Sequence, residues 1–101
     1  MQNQHQKIKG YRDLSQEEVD LMNEVKALGP QIKTVIDKVT AHVKTQRDSC
    51  CIIEQFKEIT NQDEYDRLNQ ANPEKFIQLA TDDFQIALML LTRAIAQPTT
   101  F

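Results

Sequence analysis

Lys7, Lys9, Tyr11 and Arg12 stand together just ahead of Ser15-Gln16-Glu17-Glu18. A cationic arm, an aromatic ring and a helix start are the parts of an anion site. The ring offers a stacking face, the cations offer charge, and the helix end offers unpaired N–H groups. The plainer alternative is a frayed basic tail with Tyr11 packed on the helix, and composition alone favours it. Lys26 lies one turn after Met22, at the edge of an apolar stripe. A lysine there usually snorkels, but it can equally hold its ammonium over a pocket that Met22 and Val25 help to line. His42 reads as a tolerated seam residue.

The same search gives little support for catalysis. No Gly-rich phosphate loop, zinc spacing, or set of nucleophile, base and orienting residue is present. Glu17 and Asp20 form one E-x-x-D pair of the sort that holds magnesium in helical nucleotide pyrophosphatases. A second pair is missing, since Glu54 and Glu58 are four apart and Asp82-Asp83 stand alone. Helix-start acids and solvated faces account for these carboxylates. The expectation is a binding protein, not an enzyme, with no metal and no cofactor.

Positioning these residues is the task of a chain of 101 residues, which is read as a single domain, 1–101. Two glycines and three prolines are too few turn residues for a sandwich or barrel. Twelve basic against 15 acidic residues give a net charge of -3, which argues against a duplex DNA binder and requires any anion site to be local. Cys50 and Cys51 are adjacent and read as small apolar core residues in a reducing compartment, not as a bridge. The polar start MQNQHQKIKG is not a signal peptide, and the apolar run Ile86 to Leu91 is too short to cross a bilayer. The protein is therefore expected in the cytoplasm.

Residues 1–9 contain nothing to anchor them and are expected to be mobile. Ser15 and Glu18 form a capping box, with Leu14 and Val19 as its hydrophobic staple. A first helix turns Val19, Met22, Val25 and Leu28 toward a core, broadened by Leu21. Gly29-Pro30 ends this helix or bends it into the next. Ile32, Val35, Ile36, Val39 and Val43, continued by Gln46, Cys50, Ile53 and Phe56, predict one long helix to about Ile59. Thr60 to Asn72 reads as a connector with a short helix around Tyr65 to Leu68. Asn72 is expected to cap a last helix that begins at Pro73 and runs to about Ala96. The fold class is thus all-α: a short N-terminal helix followed by two long antiparallel helices. In the last helix Phe84, Ile86, Ala87, Leu88, Met89, Leu90 and Leu91 cover every side. A helix that is apolar all round must be buried all round, so the chain is expected to form a homo-oligomer.

Two blocks also carry a resemblance. Ile8 to Glu18 (IKGYRDLSQEE), with Asp20-Leu21-Met22-Asn23 and Lys26, resembles the opening of the phage anti-CBASS cyclic-oligonucleotide sponge family, of the second anti-CBASS type. Leu91 to Phe101 (LTRAIAQPTTF) resembles its closing segment. The resemblance implies a helical hexamer that binds cyclic oligonucleotide second messengers made by infected bacteria and holds them uncleaved, so that the CBASS effector stays silent in the host cytoplasm. It implies cyclic dinucleotides such as cyclic GMP–AMP in pockets between protomers, with Tyr11 and Lys26 as ligand residues and Arg12 beside them. Tyr11 would stack on a base and Lys26 would pair with phosphate. Some members also bind cyclic trinucleotides where three protomers meet, and Lys75 is the matching position here. The chain has Lys75-Phe76 where the family leads one to expect Arg-Trp, and Ala87 where it leads one to expect Gly. Lys75 keeps the charge without the arginine fork. The alternative function is a helical protein–protein interaction module, an adaptor or antitoxin-like inhibitor that uses the apolar last helix.

Overall fold

A computed structural model describes residues 12–53 and 57–100, without the side chains of 51–53 and 57. Tyr11 and the segment 1–9 expected to be mobile lie outside the described residues. The element order is α1 (Gln16–Cys50), β1 (Cys51–Ile53), β2 (Lys57–Ile59), α2 (Gln62–Ala71) and α3 (Pro73–Ala96). Among the described residues no helix is long and apolar enough to cross a membrane.

The capping box forms as expected. The Ser15 N–H donates to Glu18 Oε1 at 2.8 Å and the Glu18 N–H donates to Ser15 Oγ at 3.2 Å, which satisfies two of the donors a helix start leaves open. The expected break at Gly29-Pro30 does not occur. α1 runs through Pro30 as one helix of 35 residues, so the short N-terminal helix expected from Val19 to Leu28 is the first part of the long one. A residue before proline is normally pushed out of the helical region by its own Cβ. Gly29 has none, and this lets the turn survive.

At the other end α1 stops short of Ile59. Its last residue is Cys50, and an antiparallel ribbon follows in which Cys51 pairs with Ile59, Ile52 with Glu58 and Ile53 with Lys57. Consecutive β-branched residues such as Ile52-Ile53 favour a strand over a helix. The returning strand also closes the helix end, because the Cys50 carbonyl accepts from the Thr60 N–H at 2.8 Å and the Asn61 N–H at 3.2 Å. Helix dominates the chain, as expected, and this two-stranded ribbon is an addition that the all-α expectation did not include.

The connector carries a helix longer than expected. Asn61 caps α2, its side chain accepting from the Glu64 N–H at 3.2 Å. Asn72 is not the N-cap of α3. It adopts the left-handed conformation (φ 50°) and donates its N–H to the Leu68 carbonyl, closing α2 instead. Pro73 opens α3 as expected, and α3 ends at Ala96, where Gln97 (φ 51°) turns the chain toward Pro98.

The chain divides into two compact units, Met1–Ile32 with Asp83–Phe101, and Lys33–Asp82. The second holds the described residues that are buried, Val43, Cys50 and Leu68. Cys50 thus packs as the small core residue expected, its Sγ–H donating to the Arg47 carbonyl at 3.2 Å. Arg47 itself donates to Glu74 Oε2 at 2.7 Å and to Asn69 Oδ1 at 2.6 Å, tying the end of α1 to the start of α3. In the first unit Met22, Val25, Gly29 and Ile32 form a half-buried stripe, while Leu21 and Leu28 face outward. Gly29 lies beneath Leu88, whose Cδ1 is 3.8 Å from where a Cβ would stand. With Arg12 at the Ile95 carbonyl and Gly29 beneath Leu88, α1 and α3 run antiparallel within the first unit.

Candidate ligand-binding site

The site is in the first unit, where the beginning of α1 meets the end of α3. Arg12 fastens the two. Its guanidinium donates to both carboxylate oxygens of Glu18, and also to the Ile95 carbonyl at 2.9 Å. Arg12 and the Ser15 N–H together hold the Glu18 carboxyl down at about 2, against an ordinary value of 4.5, with Arg12 the larger cause. Glu18 in turn raises the pKa of Arg12.

Beside this clasp is a groove of about 600 Å³. Met22, Val25 and Lys26 line it from α1. Leu88, Met89, Thr92, Arg93 and Ala96 line it from α3, with Pro98 just beyond. The helical period explains the grouping: Met22 and Lys26 are one turn apart on α1, as are Met89 and Arg93 on α3. Thr92 has turned its hydroxyl inward to the Leu88 carbonyl, at 2.9 Å. Among the described residues no carboxylate lines the groove, and neither Lys26 nor Arg93 forms an ion pair. Apolar walls with two uncompensated cations suit an anion that carries flat or apolar surface.

Of the residues singled out from sequence, Lys26 stands on this wall with Met22 and Val25. Arg12 contributes from the adjoining clasp, its fork spent on Glu18 and Ile95. Tyr11 is outside the described residues. Lys75 belongs to the other unit, exposed in the first turn of α3, next to the Glu74 that Arg47 holds. His42 is exposed on α1 in that unit as well. Sequence reasoning did not mark Arg93 as a site residue. The available signal was that Arg93 is the one charged residue after Asp83, a lone cation on an apolar helix.

A mostly helical chain whose first unit carries a basic, apolar-walled groove defines a helical protein with a candidate anion site. The chain belongs to the family described as Acb2/Tad1, hairpin domain, whose model matches residues 3–96. It is 33% identical over 105 residues to Anti-CBASS protein 2 of Pseudomonas phage JBD67, a match covering 97% of this chain and 97% of that protein.

Proposed function

We propose that this chain is a phage sponge for cyclic oligonucleotides. It captures second messengers inside the infected bacterium, holds them uncleaved and so blocks CBASS immunity. The observation that carries this reading is the placement of Lys26, uncompensated, on an apolar-walled groove large enough for a nucleotide base. The name of the relative, Anti-CBASS protein 2, supports the biological role. A cyclic dinucleotide such as cyclic GMP–AMP brings two phosphates and two purine faces. Lys26 pairs with a phosphate and Tyr11 supplies a stacking face worth about 1–3 kcal/mol per base. The exposed apolar sides of α3 support a homo-oligomer, a hexamer by resemblance, in which a neighbouring copy helps to enclose the ligand. Lys75 is the position for a second, cyclic trinucleotide site.

Calorimetric titration of cyclic GMP–AMP into the full chain tests this. Wild type binds tightly, and Lys26→Ala weakens binding by about tenfold to a hundredfold, as expected for a charged hydrogen bond. Heating the complex releases ligand that chromatographs as intact cyclic GMP–AMP, whereas a shift to a linear product would mark an enzyme. The apolar surface of α3 also fits a helical interaction module. That reading prevails if neither cyclic dinucleotides nor cyclic trinucleotides give heat.

A further inference from the structure

In the first unit α3 is apolar on two opposite faces. Leu88, Thr92 and Ile95 are half-buried on one, with Leu88 lying over Gly29 of α1. Ile86 and Leu90 fall on the opposite face by helical period, and they are 52% and 60% exposed. Asp83 and Arg93 flank them on the same stripe, both exposed, and α3 carries no other charge between the two. The steps from Asp83 to Ile86, Leu90 and Arg93 are three, four and three residues, the spacing of a coiled-coil seam. Among the described residues neither Asp83 nor Arg93 forms an ion pair. By contrast Arg12, Arg47 and Arg67 each grip a carboxylate.

This stripe is complementary to itself when reversed. Asp83 and Arg93 stand equally far from the level of Leu88, about 7.5 Å along the axis in each direction, and Ile86 and Leu90 stand about 3 Å from it. A two-fold axis at that level sets acid against base at both ends and apolar against apolar between them, and repeats every contact. A parallel pair in register would set each charge against its own like. We infer that two copies of the chain pair α3 against α3, antiparallel about this axis, with Ile86 against the partner's Leu90 and Asp83 against the partner's Arg93. This rests on the homo-oligomer reading and gives that oligomer one of its contacts. The second copy supplies the acid that Arg93 lacks within its own chain, while Lys26, on α1, keeps its charge for the groove.

Sedimentation of the full chain over a range of concentrations tests the pairing, with Asp83→Arg, Arg93→Asp, the double reversal and an equal mixture of the two single variants. Each single reversal opposes like charges twice across the axis, so it weakens association by about tenfold or more, and high salt lessens the loss. The double reversal restores assembly. So does the mixture, because the Asp83→Arg chain brings two bases to the two acids of the Arg93→Asp chain. A role for either residue inside its own chain would not be rescued by mixing. Both positions are exposed, and equal helical circular dichroism checks that the variants fold. A wild-type oligomer that the single reversals leave intact, or whose loss neither the double reversal nor the mixture repairs, overturns this pairing and leaves the homo-oligomer reading standing. A wild type that stays a monomer overturns both.

Discussion

Arg12 joins three groups that are far apart in sequence or chemistry: its own arm, the capping acid Glu18 and the carbonyl of Ile95. Because its donors are already engaged, Arg12 holds the approach to α1 beside the end of α3. The clasp has a pH signature. Glu18 titrates at about 2 in the folded chain against an ordinary 4.5. A lowered carboxyl favours the folded state above its ordinary value, and that contribution disappears as pH falls through 4.5 toward 2. Glu18→Gln is expected to lower the melting temperature at neutral pH and to flatten its fall across this window, read from thermal melts as a function of pH. At this scale the sequence was informative where a residue acts on its own helix. Ser15 and Glu18 could be paired from their spacing alone, and Lys26 from its place one turn after Met22. Arg93 could not, because helical period shows which residues share a face but not which face of another helix they meet.

The Gly29-Pro30 step shows two element-scale penalties that are coupled. Proline inside a helix removes a hydrogen bond and crowds the carbonyl four residues back, a cost of about 3 kcal/mol. Glycine costs a further 0.5–1 kcal/mol, roughly, relative to alanine. Each makes the other tolerable, since a Cβ at 29 would strike the proline ring although it would meet only ordinary contact with Leu88. Pro30→Ala is therefore expected to stabilise the chain, by up to about 3 kcal/mol. Gly29→Ala should stabilise it only in the Pro30→Ala background. Denaturant melts of the two single variants and the double variant measure the coupling, and simple additivity would contradict this account. The same pair misled the sequence reading, since punctuation that normally ends a helix is here absorbed by it. The ribbon after Cys50 was missed for the opposite reason: Cys50, Ile53 and Phe56 keep helical spacing, and three-residue strands are too short to show an alternation of their own.

At the scale of the whole molecule, the prediction that α3 is apolar on every side meets a chain that leaves those sides open. Phe76 and Leu90 are each 60% exposed, and Phe84, Ile86 and Leu91 are exposed too. No residue of α3 is fully buried. Surface of this kind is normally covered by another copy or a partner. Sedimentation of the wild type is expected to show a species well above the 11.7 kDa of one chain, and Leu90→Lys to shift it toward the monomer while circular dichroism stays helical. A wild type that sediments as a monomer would count against any shared pocket.

One wall of the groove also provides a chemical reporter. Met89 is 70% exposed whereas Met22, which lines the same groove, is half-buried. A thioether open to solvent is readily converted by peroxide to its sulfoxide, so Met89 should oxidise first in the empty protein. Peptide mass spectrometry can follow both sulfurs over time. Slowing of Met89 that tracks added ligand marks a filled groove, and slowing that tracks protein concentration marks a neighbouring copy. Two side chains already present thus make occupancy and assembly separately readable without any label.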